Sequence, residues 1–414
     1  SPWLTKRYMN RDRLYFLILN IGHFLDHLFT LIFATVAALV LYREWNVGYA
    51  ELIAYATPGF FAFGLFSLPA GWLADRWSRD GMMVVFFLGI GLASIATSFA
   101  ETPIQMGIGL FGIGIFAAIY HPVGLAIVTT KWSNTGVRIA VNGVWGNLGV
   151  ASAALITGYL IDNVNWQMSF ILPGIISIGL GIAYLVLRRD KICTQYETSK
   201  KAPDHNVANS PQYKSLLIKV SLIVFLTTAV SSIIFQSTTF ALPKIFEERL
   251  QDFIAGDKFA TTIGIMAFLV FAAASLAQLI VGFFLDRFGP RSVFIFLAGI
   301  QVIFFSMMPG LFGGFALSVS LGFMLGAFGQ IPINDYMIGK TAAGPYKARI
   351  FGVRYVVSFS VLAATLPLIA FIYHNWGFDT LFRLLAVSAS IILLAVLILP
   401  KKLPQPETSP VLKT

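Results

Sequence analysis

Long apolar stretches, interrupted by charged or Pro- and Gly-rich positions, follow one another along the whole chain. A stretch of about 20 apolar residues is long enough to cross a bilayer as a helix. The pattern predicts twelve such helices, over 14–41, 50–74, 81–99, 103–131, 138–162, 166–187, 214–242, 260–285, 291–309, 311–339, 349–373 and 377–399. The first is too long for a cleaved signal segment and carries His and Asp, so we expect it to be retained. The fold class predicted is an all-α polytopic membrane protein.

Composition agrees with this interpretation. Of the 414 residues, 57% are hydrophobic and only 12% are charged, whereas soluble domains carry about 25% charged residues. The net charge is +10, but basic residues are not interleaved with aromatics on a polar background, and we expect no nucleic-acid partner. The single cysteine, Cys193, excludes a disulfide framework and a cysteine-based zinc site.

Lysine and arginine are distributed unequally between the predicted loops. With a cytoplasmic N-terminus, most of the 29 basic residues fall on the cytoplasmic side; the exceptions are Arg43, Lys244, Arg249, Lys258 and Arg383. Such a bias sets orientation. The sequence therefore predicts a multi-pass protein of a bacterial-type inner (plasma) membrane with both termini cytoplasmic. The expected domains are six-helix bundles at 1–187 and 214–400, a polar cytoplasmic linker at 188–213, and a cytoplasmic tail at 401–414.

The two halves carry the same motif after their second helix. Gly-Trp-Leu-Ala-Asp-Arg-Trp-Ser-Arg at 71–79 has a counterpart, Gly-Phe-Phe-Leu-Asp-Arg-Phe-Gly-Pro-Arg, that begins 211 positions later at Gly282. Two further pairs are 210 positions apart: Pro122 with Pro332, and Trp145 with Tyr355. A constant offset indicates a parallel internal repeat, which is typical of alternating-access transporters with a substrate site between the halves.

This double motif resembles the signature loop of the major facilitator superfamily, and the twelve spans extend the resemblance over nearly the whole chain. The phrase FAAIYHPVG at 116–124 is similar to the fosmidomycin-resistance-like efflux branch of that superfamily. The resemblance implies two pseudo-symmetric six-helix bundles. It also implies a conformational latch of the outward-facing state, formed by Gly71, Asp75, Arg76, Arg79, Gly282, Asp286, Arg287 and Arg291. The alternative is that these charges only stop helices at the interface.

Some positions depart from the family pattern. Ser78 stands where the loop usually has glycine, and Ile108 stands where span four often has an arginine with a proton-relay role. Span five keeps a glycine rhythm around Asn147 but lacks the proline of the antiporter signature. The resemblance therefore favours export by antiport, while span five counts against it.

Ionisable residues within membrane helices are costly and usually line a pathway. His23, Asp26, His27 and Thr30 share one face of the first predicted helix, and Asp26 lies roughly 20 Å into it. A desolvated carboxyl beside a histidine can load and release a proton near neutral pH. We therefore predict proton coupling at Asp26, assisted by His23 and His27. A structural hydrogen-bonding role is the alternative for Asp26.

Metal ligation is a second interpretation of the same residues. His23 and His27 have the i, i+4 spacing that lets two imidazoles hold one ion, and His121 could complete the set. No cysteine, glutamate or second pair of this type supports it, so no metal site is predicted.

The remaining polar residues of the predicted helices are candidates for substrate binding. They are Asn20, His121, Asn142, Trp145, Gln236, Gln330, Asn334, Arg354 and Tyr355. Arg354 could attract an anionic substrate or pair with Asp335, and the ion pair is favoured.

The leading hypothesis is a proton-coupled secondary transporter that exports a drug or metabolite. Proton-driven uptake of an organic anion or a metal chelate is the alternative, and a metal-ion transporter, a sensor or a membrane-embedded enzyme is less favoured. An enzyme would need a nucleophile beside the span-one cluster. The sequence has no nucleotide-binding Gly-rich Lys-Ser/Thr loop. We expect a monomer without cofactor whose partners are a small-molecule substrate, protons and membrane lipid.

Overall fold

The structure, a computed structural model, describes residues 2–132, 135–189, 211–254, 256–341, 344–401 and 403. It does not describe the side chains of 2–10, 135–136, 188–189, 344–349 and 351. Most of the predicted linker (190–210) and of the predicted tail (402 and 404–414) lies outside the described residues.

Eleven helices in the described part of the chain are long and apolar enough to cross a membrane. They are α1 (Arg11–Glu44), α2 (Tyr49–Arg76), α3 (Arg79–Thr97), α4 (Pro103–Lys131), α5 (Val137–Asn163), α6 (Met168–Leu187), α7 (Pro211–Thr239), α8 (Phe259–Phe288), α9 (Pro290–Met307), α10 (Gly313–Thr341) and α11 (Gly352–Leu397). The described residues contain no strand. The predicted all-α polytopic fold class is confirmed.

The last helix, α11, is two helices joined at a glycine. Gly377 has φ 72° and ψ −173°, which is not helical backbone, and residues other than glycine rarely adopt a positive φ. The predicted spans 349–373 and 377–399 meet at this residue.

Two membrane helices are interrupted in front of a proline. α4 consists of Pro103–Ala117 and Tyr120–Lys131, and α10 consists of Gly313–Gly329 and Ile331–Thr341. Pro122 and Pro332 lack the N–H that would bond to the carbonyl four residues earlier. The paired prolines of the repeat therefore mark equivalent breaks in the two helices.

Residues cluster into two compact units. The first comprises Ser1–Glu197, Thr239–Ala272 and Leu366–His374, and the second comprises Thr198–Thr238, Ala273–Thr365 and Asn375–Thr414. The first unit thus contains α1 to α6 together with two short segments from the second half of the sequence. One of these segments holds a short helix, Leu242–Arg249.

Close helix approach in the first unit depends on small residues. α1 crosses α5 at Gly149, where a Cβ atom would overlap the carbonyl oxygen of Phe24. The start of α8 lies against the end of α5, since Asp162 accepts hydrogen bonds from both the backbone N–H and the hydroxyl of Thr261, each at 2.7 Å. The close approach at Gly149 is characteristic of membrane helices, in which small residues let two backbones come together.

The second unit is held together by aromatic packing and buried polar pairs. Phe305 and Phe323 stack with ring centroids 4.7 Å apart. Gln301 donates to Gln330 at 2.9 Å between α9 and α10, and Thr227 donates to Asn334 at 3.0 Å between α7 and α10. Inside a membrane such bonds satisfy polar groups that have no water to bond with.

Candidate functional site

Three imidazoles converge within the first unit. His23 and His27 are one turn apart on α1, with their Nε2 atoms 3.2 Å apart. His121 follows the break in α4, and one nitrogen from each of the three rings lies within 4.8 Å of the others. We call His23, His27 and His121 the histidine cluster. The sequence paired His23 with His27 through helical spacing, and the packing of α1 with α4 adds His121.

The His23 ring is held in a defined orientation. Its Nδ1 lies 2.7 Å from the backbone carbonyl oxygen of Asn142, and because a carbonyl oxygen only accepts, Nδ1 carries the hydrogen. The ring stacks on Tyr120 at 4.9 Å between centroids. Gly146 provides space on α5, where a Cβ atom would lie 2.6 Å from His23 Cε1. These contacts leave Nε2 of His23 facing His27.

A buried hydrogen-bond network supports this orientation. Asn142 donates from Nδ2 to the side-chain oxygen of Asn20 and to the hydroxyl of Tyr120, both at 2.9 Å. Tyr120 in turn donates to the carbonyl oxygen of Leu19 at 2.7 Å. Asn20 and Asn142 are among the residues predicted from the sequence, whereas Tyr120 is not. Its position next to His121 and Pro122 was the only available signal for it.

Asp26 is the buried acid of the site. The residue is only 1% exposed, and Nε2 of His121 lies 3.4 Å from its Oδ2. Neither carboxylate oxygen accepts a hydrogen bond from a described residue. The sequence placed His23 one turn from Asp26, and the structure adds the His121 ring as a close neighbour of this carboxyl group.

An apolar pocket adjoins the histidine cluster. It encloses about 330 Å³, counting the space that opens to the outside, and its aromatic lining consists of Phe29, Phe33, Phe60, Phe63 and Phe240. Phe63 also contacts His121 edge-on, with ring centroids 6.0 Å apart. A lining of mostly apolar and aromatic side chains is typical of small-molecule sites.

The other predicted substrate residues are divided between the units. Asn20, His121, Asn142 and Trp145 belong to the first unit, and Gln236, Gln330, Asn334, Arg354 and Tyr355 belong to the second. In the second unit, Arg354 Nη1 lies 2.6 Å from Asp335 Oδ1, which is the ion pair that the sequence favoured. Gln236, Gln330 and Asn334 are buried, and Tyr355 is exposed.

The first copy of the repeated motif forms an ion pair at the end of α2. Arg79 donates from Nε and Nη2 to Oδ1 of Asp75 at 3.0 and 2.8 Å, and from Nη1 to Thr130 at 3.2 Å. Gly71 lies against Pro122 of α4, and the guanidinium of Arg76 lies 5.0 Å from the Trp72 ring centroid. These contacts tie the α2–α3 turn to α4.

The second copy makes different contacts. Asp286 lies near the Tyr336 hydroxyl, Arg291 donates to the carbonyl oxygen of Leu397 at 3.0 Å, and the Arg287 guanidinium lies 5.4 Å from the Phe288 ring centroid. Gly282 has open space where its Cβ would be, so this glycine is not required by packing in the structure.

The turns of the two copies also differ. Ser78 caps α3 in extended conformation, with its hydroxyl accepting from the N–H of Gly81 at 3.0 Å. Gly289 occupies the equivalent position with φ 77°, a conformation that favours glycine. In the first copy, the turn before α3 is stabilised by the Ser78 side-chain cap. In the second copy, the turn instead uses a backbone conformation that favours glycine.

A charged cluster at the end of α1 was not expected. The sequence placed Lys244 and Arg249 in a loop, but in the short helix both are buried, together with Glu247. Glu247 accepts hydrogen bonds from Lys244 at 2.5 Å, from Arg43 at 2.7 Å and from Tyr42 at 2.9 Å. We call Tyr42, Arg43, Lys244 and Glu247 the α1-end cluster. The α1-end cluster forms because the short helix packs on α1, and the two segments are far apart in the sequence.

Comparison with known proteins places the chain in a family. The model of the Major Facilitator Superfamily matches residues 19–256 and 254–413. A puromycin resistance protein of Streptomyces alboniger is 29% identical over 31% of this chain and 26% of its own length. The niacin transporter NiaP of Acinetobacter baylyi is 25% identical over 49% of this chain and 48% of its own length. The chain thus spans about half or less of these curated relatives.

Solved structures agree on the fold. A mutant form of the nucleoside transporter NupG superposes with a TM-score of 0.71 at 15% identity, covering 93% of this chain and 99% of that one. The relatives are named for transport or resistance rather than for an enzymatic reaction, in agreement with the expectation that the chain is not an enzyme. From the match along nearly its entire length, the chain is a multi-pass membrane protein that belongs to the major facilitator superfamily.

Proposed function

We propose that the protein is a proton-coupled secondary transporter that moves a small organic solute by alternating access, and that it exports a drug or metabolite. The observation that carries this proposal is the buried Asp26 carboxyl, whose Oδ2 lies 3.4 Å from Nε2 of His121. Ionisable groups at such depth in a transporter usually handle protons or substrate. Asp26 is the proton carrier, and His23 and His27 modulate it.

Contact with His121 offers a way for proton and substrate to be linked. The imidazole has about a third of its side-chain surface exposed, whereas Asp26 is buried. His121 also contacts Phe63 in the pocket wall. A solute that displaces Phe63 can therefore move the His121 ring and change the surroundings of the Asp26 carboxyl group. Coupling requires such a differential interaction between the loaded and unloaded states.

The chemistry of the pocket supports an organic solute with apolar surface. Its aromatic lining can bury rings or alkyl groups, and Asn20, His121, Asn142 and Trp145 are the polar binding residues proposed for the first unit. Gln236, Gln330, Asn334, Arg354 and Tyr355 are those proposed for the second. The match to a puromycin resistance protein supports export. The match to a niacin transporter keeps uptake of an organic anion or chelate as the alternative.

The arrangement in the membrane belongs to the same proposal. We infer that both termini and the 188–213 linker face the cytoplasm of an inner membrane, and that the protein acts as a monomer of two six-helix bundles. The charge bias between the loops supports this orientation. With Cys193 replaced by serine, a cysteine introduced at residue 200 should react only with cytoplasmic reagents, and labelling from outside would refute the topology.

A flux experiment in proteoliposomes tests the function. With an imposed pH gradient, a panel of puromycin, niacin and other drugs and organic acids is screened for accumulation driven by the gradient. For the compound that accumulates, Asp26→Asn should abolish gradient-driven accumulation while leaving downhill exchange intact. Asp252→Asn, at an exposed aspartate, is the matched control and should behave as the parent protein.

Two results would contradict the proposal. The first is that no compound of the panel moves in response to the pH gradient. The second is that the Asp26→Asn protein still concentrates the compound with unchanged pH dependence.

A further inference from the structure

We propose that His23, His27 and His121 together bind a divalent transition-metal ion of borderline softness, the class that includes Zn²⁺, Ni²⁺ and Cu²⁺. The ion is either the cargo itself or the metal of an organic chelate. This inference rests on the proposed function, because it assigns a ligand to the same membrane-embedded site.

The spacing of the nitrogens is close to that of a metal site. Zn–N bonds of about 2.0–2.1 Å in tetrahedral geometry place two ligand nitrogens about 3.4 Å apart. The Nε2 atoms of His23 and His27 are already 3.2 Å apart. All three ligand nitrogens lie within 4.8 Å of one another, so His121 needs a shift on the order of 1 Å to complete the set. Its side chain is 33% exposed, so the ring is not fully enclosed by neighbouring atoms.

The orientation of His23 favours ligation. A metal-binding histidine almost always donates its second ring N–H to a carbonyl or carboxylate, which fixes the ring and its tautomer. Here Nδ1–H of His23 donates to the Asn142 carbonyl oxygen, so the lone pair of the neutral ring is on Nε2, the atom that faces His27. Tyr120 and Gly146 hold the ring in place from two further sides.

Asp26 supplies the charge that a buried cation needs. Its carboxylate is buried and accepts no hydrogen bond from a described residue, although burying an ionised group without compensation is costly. Its Oδ2 lies 3.4 Å from Nε2 of His121, so a metal bound through Nδ1 of His121 would leave Nε2–H to donate to this carboxylate. A divalent ion held by the cluster offsets the negative charge of this carboxylate. It therefore explains why an acid can be buried here without a hydrogen-bond donor among the described residues.

The donor set also selects the kind of ion. Imidazole suits Zn, Cu, Fe and Ni, whereas Mg and Ca prefer carboxylate, carbonyl and water oxygens. Three imidazoles leave a fourth position for water or for a donor atom of a chelate, as in open zinc sites. The site is therefore expected to discriminate strongly against Mg²⁺ and Ca²⁺.

Equilibrium binding tests this inference directly. The full chain, purified in nanodiscs with any affinity tag removed, is titrated calorimetrically with ZnCl₂, NiCl₂, MgCl₂ and nickel nitrilotriacetate. Loss of a ligand should cost more than the 10–100-fold that loss of an outer partner costs, so His27→Gln and His121→Gln should each weaken binding by at least about 100-fold, and Asp26→Asn by about tenfold. His374→Ala, at an exposed histidine of α11, is the control and should bind as the parent.

Each outcome decides the matter. Binding of free Zn²⁺ or Ni²⁺ that the cluster variants lose supports the ion as ligand. Binding of only the nitrilotriacetate complex, again lost in the variants, supports a chelate. Absence of binding to the folded parent protein, or binding that the variants leave unchanged, overturns the inference. Thermal unfolding of each variant is compared with that of the parent, so that a loss of binding is not mistaken for a loss of fold. No gradient is imposed, so this titration and the flux assay can fail independently.

Discussion

Nη2 of Arg43, at the end of α1, lies 2.7 Å from Oε1 of Glu247 in the short helix Leu242–Arg249. The contact joins two segments separated by about two hundred residues of sequence, one from each half of the repeat. Lys244 is buried on the other side of the same carboxylate, with Nζ 2.5 Å from Oε2. Glu247 is thus the acceptor that both cations share.

The first prediction concerns this shared carboxylate. Glu247→Gln removes the negative charge that pairs with the buried Lys244 ammonium, and breaking a buried pair from one side costs about 3 kcal/mol. Thermal unfolding in detergent should show a clearly lowered midpoint. Glu51→Gln, at an exposed position of α2, should leave the midpoint within error of the parent. If the two variants unfolded at the same temperature, the α1-end cluster would have no stabilising role.

The second prediction concerns the motif loop. Asp75 is 64% exposed in its side chain, so its ion pair with Arg79 contributes at most about 1 kcal/mol to stability. Asp75→Asn should therefore leave unfolding nearly unchanged, yet it should slow transport and shift accessibility toward the inward-facing state while ligand binding persists. Cysteine accessibility and flux measured together test this. Unchanged flux with an unchanged accessibility pattern would indicate that the charges of the motif only end helices at the membrane interface.

A third prediction uses two glycines on the same helix. A Cβ atom at Gly146 would lie 2.6 Å from the His23 ring, whereas one at Gly143 would meet no atom within 4 Å. Gly146→Ala should displace the imidazole and lower both transport and metal binding by at least about tenfold. Gly143→Ala should leave both as in the parent. Equal effects of the two substitutions would show that transport and metal binding do not depend on the position of the His23 ring.

The fourth prediction concerns Tyr120. Tyr120→Phe removes the hydroxyl that donates to the Leu19 carbonyl and accepts from Asn142. Leaving such buried partners unsatisfied costs about 1–3 kcal/mol, and the loosened Asn142 should also reduce substrate affinity. Tyr159→Phe, at an exposed tyrosine of α5, should change neither property. Denaturant unfolding and ligand binding measure the two effects, and a variant that matches Tyr159→Phe in both would contradict the assigned role.

The membrane helices were predictable because their cause is local. The pattern predicted a helix over 103–131, and α4 covers Pro103–Lys131, since an uninterrupted apolar stretch between charged ends determines a span. The short helix was missed for the opposite reason. Lys244 and Glu247 look like loop residues in sequence, and their burial depends on α1, which is distant along the chain.

The candidate site was predictable only in part for the same physical reason. The i, i+4 spacing places His23 next to His27 on any helix. The approach of His121 to Asp26 depends on how α4 packs against α1, and so does the stacking of Tyr120 on His23. Helical periodicity carries no information on such contacts, so the sequence named Asp26 and the histidines but not the contact between Asp26 and His121.

Whether Asp26 carries the coupled proton can be measured by following the movement of the proton itself. Proteoliposomes that enclose a pH-sensitive dye are given a transported compound with no initial pH gradient, and the internal pH is followed. We expect a substrate-dependent pH change in the parent protein and in Asp252→Asn, and none in Asp26→Asn, while the labelled compound still equilibrates across the membrane. A pH change of equal size in the Asp26→Asn protein would show that Asp26 does not carry the proton.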